Sequence, residues 1–163
     1  MILQIVGHKN SGKTTLMSYT INFLKAHQLS VATIKHHGQA QSNFEEADIT
    51  LQNDQVDHMK HFNAGADQSI VQGRFYQQSV TRNENQSLEE ILGESVTIDC
   101  NVILVEGFKS AAYDKVVVYK NEQERQTLSR LANVKYFVNL RDKDALHLYH
   151  QWLCNYFKIK GRH

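Results

Sequence analysis

Proline is missing from this 163-residue chain, cysteine occurs only twice, and no apolar run is long. Without proline, turns depend on Gly, Asn and Asp. Cys100 and Cys154 are far apart and lack CxxC spacing, which argues against a disulfide framework or a cysteine metal site. We expect two buried thiols in a reducing compartment. No apolar run approaches the roughly 20 residues of a membrane span, and the first apolar stretch has no preceding basic region, as a signal peptide would. We therefore expect a cytoplasmic protein with no membrane partner.

The chain also lacks an excess of either charge. Its 18 basic and 17 acidic residues give a formal net charge of +1, so neither a nucleic-acid groove nor an anionic membrane is indicated as a partner. Hydrophobic residues make up 41% of the sequence, which at this length is enough for one sizeable core. We predict a single nucleotide-binding domain over residues 1–163.

Short β-branched or apolar runs alternate with helical patterns along most of the chain. A strand, a helix of roughly 15 residues and a second strand at the front form a βαβ unit with parallel strands. We predict an α/β fold: a mostly parallel central sheet with helices on both faces and a small β-hairpin extension near Gly73. The polar segment 36–56 is predicted to be a long loop that is either functional, as a switch or partner surface, or disordered. Predicted strands cover 2–6, 30–35, 101–108, 115–120 and 134–140. Predicted helices cover 12–26, 57–64, 87–93, 122–131 and 143–157, the last with Leu146, Tyr149, Leu153 and Tyr156 on one stripe.

The segment from Gly7 to Thr14 fits the pattern G-x-x-x-x-G-K-[ST] between the first strand and the first helix. Gly7 and Gly12 allow the backbone to bend so that several N–H groups converge on a phosphate. The helix beginning near Lys13 directs its positive end at the same anion. The Lys13 ammonium suits the β- and γ-phosphates, and the Thr14 hydroxyl suits Mg²⁺. The pattern predicts a P-loop that binds a nucleotide through Gly7, His8, Lys9, Asn10, Ser11, Gly12, Lys13, Thr14 and Thr15.

The phrases "IVGHKNSGKTTL", "VATIKHHG", "AGAD" and "VILVEGFK" occur in an order that resembles the molybdopterin-guanine dinucleotide biosynthesis protein B (MobB) family, from residue 2 to about residue 120. The resemblance implies a small GTP-binding P-loop protein of molybdenum-cofactor biosynthesis that binds GTP and Mg²⁺. It further implies a homodimer with weak GTPase activity. The implied role is that of an adapter for the MobA-type guanylyltransferase that joins molybdopterin to GMP, with the molybdenum cofactor or molybdoenzymes as further partners.

Two acidic residues are candidates for the metal site and for catalysis beside Lys13 and Thr14. Glu106 ends the most apolar strand, at the sheet edge where α/β proteins bind ligands, and Gly107 allows close approach to phosphate or metal. A surface glutamate opening a turn is the alternative. Asp57 stands seven residues before Ala64, as does the acid of the family's G-K-D-S-x-x-x-x-A-G-A stretch, although "GKDS" has become "QVDH" here. Lys109 could contact a phosphate or solvent equally well.

The sequence allows more than one role for four of the histidines and for the segment after strand 134–140, which is the candidate for recognising the guanine base. His36, His37, His58 and His61 flank the polar loop, and we favour contact with phosphate or cofactor over a metal site; surface histidines are the alternative. The N-K-x-D signature of many GTPases is absent. Asp142 follows the strand 134–140, where a carboxylate could accept hydrogen bonds from guanine. It could equally be the N-cap of the last helix.

Two functions compete at this point. The first is a slow GTPase that acts as a GTP-binding adapter, in which the P-loop and Mg²⁺ neutralise charge. The second is a small-molecule kinase, with Asp57 or Glu106 as the base toward an acceptor hydroxyl. A third interpretation is a dimeric scaffold. In each case, the edge strands within 68–82 are predicted to pair across a two-fold axis.

Overall fold

The computed structural model describes residues 1–37, 49–83 and 86–159. The chain forms two compact units, one from residues 1–38 and 96–163 and the other from residues 39–95. The single nucleotide-binding domain stays a prediction. The helices and strands in chain order are β1 (Ile2–Gly7), α1 (Lys13–Ala26), β2 (Val31–Lys35), α2 (Asp57–Asn63), β3 (Gln68–Gln72), β4 (Gln77–Thr81), α3 (Leu88–Glu94), β5 (Val102–Glu106), β6 (Asp114–Val118), α4 (Glu122–Leu128), β7 (Val134–Val138) and α5 (Ala145–Tyr156).

The larger unit contains a five-stranded sheet in the order β2-β5-β1-β6-β7, with every neighbouring pair parallel. In this register, Gly7 lies opposite Val118 and Glu106 lies opposite Lys35. Because all strands run the same way, their carboxyl ends share one edge, where ligands of open α/β sheets bind. The predicted fold class, a mostly parallel sheet with helices and a hairpin, is confirmed.

Helices cover both faces of this sheet. On one face, α1 and α5 pack against Leu3 and Ile5; on the other, Leu128 of α4 packs against Val6. Successive strand residues point to opposite faces of the sheet, so the adjacent residues Ile5 and Val6 of β1 pack against helices on opposite faces. Of the four residues predicted on one stripe of α5, Leu146 is 41% exposed. The buried residues Ala145, Tyr149 and Leu153 span about 80° of the helix, and Leu146 lies about 20° beyond Leu153 in the first turn, at the margin of that stripe.

The smaller unit contains α2, α3 and the antiparallel hairpin of β3 and β4, which confirms the predicted hairpin. Arg82 stabilises this unit by donating from Nη2 to the carbonyl of Phe62 at 2.9 Å and by stacking over the Phe62 ring. Ser87 and Glu90 form the predicted capping box at the start of α3. Residues 38–48 of the predicted polar loop lie outside the described residues.

Both cysteines are free and half-buried, so the expectation of two buried thiols is wrong. Cys100 stands two residues before β5 begins, and Cys154 packs at the margin of the core, next to the buried Leu153. Within residues 1–37, 49–83 and 86–159, none of the helices has the length and apolar character needed to cross a membrane.

Candidate functional site

The glycine loop leaves the carboxyl end of β1 under tight steric limits. A Cβ atom on Gly7 would lie 2.4 Å from the carbonyl oxygen of Val118 and 2.5 Å from Oγ of Ser11. Gly12 has a φ of +96°, and a Cβ there would lie 2.6 Å from Cδ1 of Leu140. Both fixed glycines of the motif are therefore required by the fold itself.

The loop also has the features of an anion site. Asn10 and Gly12 both have left-handed backbone angles, with φ of 60° and 96°, and such turns direct successive N–H groups toward one point. The first turn of α1 has no side-chain cap and no acidic residue, so its N–H groups are available to an anion. Oγ of Ser11 is buried and has no hydrogen-bond partner among the described residues. These donors fit a polyphosphate.

Lys13 is the first residue of α1, and its ammonium donates to the carbonyl of His8 at 2.7 Å. Burial lowers the pKa of Lys13 from its ordinary value; Glu106 opposes this shift, whereas the ammonium groups of Lys109 and Lys35 add to it. A bound anion would reverse the effect of these neighbours, because it would stabilise the charged form. Lys13 is therefore placed where a negative ligand is electrostatically favoured.

Thr14 and Glu106 meet beside this loop. The Thr14 hydroxyl donates to Oε2 of Glu106 at 3.2 Å, although the two residues are 92 positions apart in the chain. Neighbouring ligands of an octahedral Mg²⁺ at about 2.1 Å lie about 3 Å from each other. A hydroxyl and a carboxylate oxygen at this separation are hard donors that fit Mg²⁺ with little rearrangement. Glu106 is buried, so the alternative of a surface glutamate is wrong.

The chain turns sharply after Glu106. Gly107 and Phe108 both have positive φ, 99° and 52°, and a Cβ on Gly107 would lie 3.1 Å from Cβ of His36. The His36 ring packs against the Phe108 ring with centroids 4.4 Å apart. On the same side, Nζ of Lys35 lies 3.9 Å from Oε1 of Glu106. The structure thus brings Gly107, Lys35 and His36 to the edge that carries Glu106.

The remaining histidines do not form a metal centre in the part of the chain that the structure describes, since no three His, Cys, Asp or Glu residues there come together as potential ligands. His37 is exposed in the larger unit, and His58 and His61 belong to the smaller unit. Oγ of Ser69 donates to the backbone carbonyl of His58 at 2.8 Å. Contact of these histidines with phosphate or cofactor stays a prediction.

Two further loops at this edge touch the P-loop. Nζ of Lys120 donates to the carbonyl of Lys9 at 3.3 Å and pairs with Oε1 of Glu124 at 3.2 Å. The sequence did not predict this contact. Asn121, the N-cap of α4, indicates where the helix begins, but it does not indicate the direction of the Lys120 side chain. The loop after β7 approaches Gly12 through Leu140.

Asp142 lies on that loop and is exposed. The N-cap of α5 is Asp144, so the alternative of Asp142 as the N-cap is wrong. Its role in reading guanine stays a prediction.

Asp57 is the first residue of α2 in the smaller unit. Its side chain is 89% exposed, and Oδ1 forms an ion pair with Nζ of Lys60 at 3.0 Å. Its metal-binding or catalytic role stays a prediction. Thr15 is exposed in the first turn of α1. Lys109, two residues after Gly107, contributes to lowering the pKa of Lys13.

Comparison with known proteins places this architecture in a family. The family model described as molybdopterin guanine dinucleotide synthesis protein B (MobB) matches residues 2–139. A Bacillus subtilis protein named "Probable molybdopterin-guanine dinucleotide biosynthesis adapter protein" is 30% identical over 127 residues, which cover 78% of this chain and 69% of that protein. A Methanocaldococcus jannaschii protein whose name gives the same adapter role is 30% identical over 146 residues, covering 88% of this chain and 49% of the other.

Solved structures agree with the fold. The crystal structure of a MobB homolog from Bacillus stearothermophilus has a TM-score of 0.72 at 24% identity, covering 98% of this chain and 99% of the other. At that identity the likeness shows the fold alone, which is that of a P-loop NTPase. The family match spans most of the chain and includes both the glycine loop and the strand that ends in Glu106, so the chain belongs to the MobB family.

Proposed function

We propose that this protein is a GTP- and Mg²⁺-binding adapter with weak GTPase activity in molybdopterin guanine dinucleotide biosynthesis. The observation that carries the proposal is the hydrogen bond from the Thr14 hydroxyl to the Glu106 carboxylate, beside the glycine loop. The Thr14 hydroxyl and the Glu106 carboxylate are two hard oxygen ligands beside the backbone N–H groups of the glycine loop, which are suited to phosphate. The adapter names of the relatives support the pathway. The partner would be the MobA-type guanylyltransferase, and the molybdenum cofactor or molybdoenzymes would lie downstream.

The chain's own residues would act mainly by positioning and charge. The P-loop N–H groups and the Lys13 ammonium would hold the β- and γ-phosphates, and Thr14 and Glu106 would hold Mg²⁺ directly or through water. Mg²⁺, when bound, supplies charge neutralisation at the phosphate oxygens. Asp57 is the second acidic candidate, and Asp142 is the candidate for reading guanine. Fixed positive charge of this kind accelerates hydrolysis, in which water accepts the phosphoryl group.

Calorimetry with GTP and with ATP, each with Mg²⁺ or EDTA, tests the binding proposal. We expect GTP with Mg²⁺ to bind best. Lys13→Ala should weaken binding about 10- to 100-fold, because one charge-assisted hydrogen bond is worth about 1.5–3 kcal/mol. Lys25→Ala, at the exposed last turn of the same helix, removes the same charge and should leave the affinity unchanged. Absence of heat with both triphosphates would contradict the proposal.

Turnover without an acceptor separates the two candidate activities. Slow hydrolysis that prefers GTP supports the adapter, whereas phosphate transfer that occurs only with an added hydroxyl compound would favour the small-molecule kinase. Asp57→Asn should slow either reaction if Asp57 serves the site. Asp54→Asn is the matched control, since Asp54 is another exposed acid of the same unit.

We also propose that the protein is a homodimer that pairs through the hairpin of β3 and β4. Ile70, Phe75 and Tyr76 are exposed large apolar side chains on this hairpin, with Phe75 at 77% and Tyr76 at 84%. Apolar side chains concentrated on one short element are typical of an interaction surface. An antiparallel edge can also extend its hydrogen bonding into a second copy.

A further inference from the structure

A glutamine lies in the apolar core of the larger unit. Gln4 is in the middle of β1, the central strand, and is fully buried. Its register neighbours are Val105 on one side and Lys115 on the other. A buried amide destabilises a core unless it is hydrogen-bonded. Gln4 Oε1 is buried and has no hydrogen-bond partner among the described residues, so the side chain's stabilising contacts are those of its Nε2.

The Gln4 amide binds the turn that follows Glu106. Its Nε2 donates to the carbonyl of Gly107 at 3.0 Å and to the carbonyl of Phe108 at 2.8 Å. An amide nitrogen has two hydrogens, so one side chain can satisfy both carbonyls. Gly107 and Phe108 are also the two consecutive residues with positive φ. Because a residue such as Phe108 adopts this region only at a cost, the two hydrogen bonds stabilise an otherwise unfavourable bend.

The other end of the same segment is held from the next strand. Lys115 is fully buried, and its ammonium donates to the carbonyls of Ala111 and Tyr113. Gln4 and Lys115 are partners in the parallel register of β1 and β6, so they project from the same face of the sheet. Residues 107–113 are therefore fastened to that face by one buried amide and one buried ammonium.

The bend begins directly after Glu106. The backbone N–H of Gly107 donates to the carbonyl of Ile5 at 3.1 Å, and the N–H of His36 donates to the carbonyl of Glu106 at 2.9 Å. These bonds fix the end of β5, but the direction of the chain beyond it depends on Gly107 and Phe108. If the bend opened, Phe108 would lose its contact with His36, and the turn that flanks the Glu106 carboxylate would move.

We propose that Gln4 is a positioning residue for the Mg²⁺ site: it holds the Gly107–Phe108 turn so that the Glu106 carboxylate stays against the Thr14 hydroxyl. This inference rests on the proposed function. Among the described residues, Gln4 donates to the carbonyls of Gly107 and Phe108 and not to Thr14 or Glu106, so it would act through the turn. Groups that orient a metal ligand in this way commonly change metal affinity about 10- to 100-fold when they are removed.

The test compares Gln4→Met with Thr20→Val in the full chain. Methionine matches the length of glutamine and cannot donate. Thr20 is also fully buried in the larger unit; it donates to the carbonyl of Leu16 and shares a hydrogen bond with the Tyr149 hydroxyl. Its replacement thus removes buried hydrogen bonds away from the turn and controls for a general loss of stability. GTP binding is measured by calorimetry across a range of Mg²⁺ concentrations and in EDTA. Amide hydrogen exchange of residues 107–113 is measured without nucleotide.

We expect Gln4→Met to raise the Mg²⁺ concentration for half-maximal tightening of GTP binding about 10-fold, to leave the affinity in EDTA unchanged, and to speed exchange at residues 107–113. Thr20→Val should lower the melting temperature without either effect. If Gln4→Met does not fold, Gln4→Asn keeps the amide but ends one methylene short of the two carbonyls, and the same results are expected.

Two results would overturn the inference: Mg²⁺ dependence equal to wild type in a folded Gln4 variant, or an equal change in Thr20→Val. Failure of the proposed function looks different, because wild type itself would then bind no GTP or would gain nothing from Mg²⁺. In that case, faster exchange at 107–113 would still show that Gln4 holds the turn, but the assignment to a Mg²⁺ site would be overturned.

Discussion

Replacing Gly7 with alanine should strongly destabilise the larger unit, even though glycine and alanine differ by one methyl group. The added Cβ would lie 2.4 Å from the Val118 carbonyl oxygen and 2.5 Å from Oγ of Ser11. Real Cβ atoms essentially never approach another heavy atom within 3.0 Å. Something must move, and the question is which neighbour can do so at the smallest cost.

Neither neighbour can move easily. Val118 is in β6, paired with β1 on one side and β7 on the other, so its carbonyl cannot move without distorting the centre of the sheet. Ser11 is itself buried, and a shift would reshape the loop. Overpacking of a core costs about 1–3 kcal/mol, and contact with a fixed backbone atom places this case at about 3 kcal/mol. For a domain of this size each kcal/mol shifts the melting temperature by about 2–4 °C, so we expect a fall of about 6–12 °C.

Thermal unfolding followed by far-ultraviolet circular dichroism measures this shift, with Gly93→Ala as the matched control. Gly93 lies inside α3, and a Cβ there meets no atom within 4 Å. Alanine is favoured over glycine in helices by about 1 kcal/mol, so the same substitution should stabilise the smaller unit slightly. A melting temperature for Gly7→Ala within 1–2 °C of wild type, roughly the shift of less than 1 kcal/mol, would refute the steric argument.

Two further predictions concern binding and assembly. Because a bound polyphosphate should raise the lowered pKa of Lys13, affinity for tripolyphosphate should be full below the free-state pKa and should fall as the pH rises through it. Calorimetry should detect proton uptake there, and Lys13→Arg, which stays charged, should lack the uptake; an identical pH profile for both proteins would contradict the assignment. Phe75→Ser combined with Tyr76→Ser should convert a dimer to a monomer in light scattering. Leu146→Ser with Leu148→Ser, two exposed leucines of α5, should not; a wild-type monomer at micromolar concentration would refute pairing through the hairpin.

The local parts of the fold were predictable from the sequence because local chemistry determines them. The glycine loop, the capping box of Ser87 and Glu90, and the hairpin around Gly73 each depend on residues within a few positions of each other. The end of β5 at Glu106 followed from a run of apolar residues that stops at an acid. The exposure of Leu146 was harder to predict, because it depends on what packs against the first turn of α5 and not on the helical period alone.

The site's long-range contacts could not be predicted in this way. Strand order places β5 beside β1 although about 100 residues separate them, and only that pairing brings Glu106 to Thr14. Gln4 is a single polar residue within "ILQIV", which indicates a buried amide in a strand. The pattern does not predict which carbonyls that amide binds. Lys115 likewise stands at the front of an apolar strand, and its burial depends on the segment that folds over it.

The charges gathered at the sheet edge agree with the ligand that we propose. The ammonium groups of Lys35 and Lys109 act on that of Lys13, and the Glu106 and Glu124 carboxylates oppose them, so these five groups leave a net positive charge. A triphosphate with one bound Mg²⁺ carries about −2, so this positive edge attracts it. Without the metal, the triphosphate brings about two further negative charges, and Glu106 then repels a phosphate that no cation shields. Glu106 would thus make the same site selective for the metal complex over the free nucleotide, because the bound cation turns that carboxylate from a source of repulsion into a ligand.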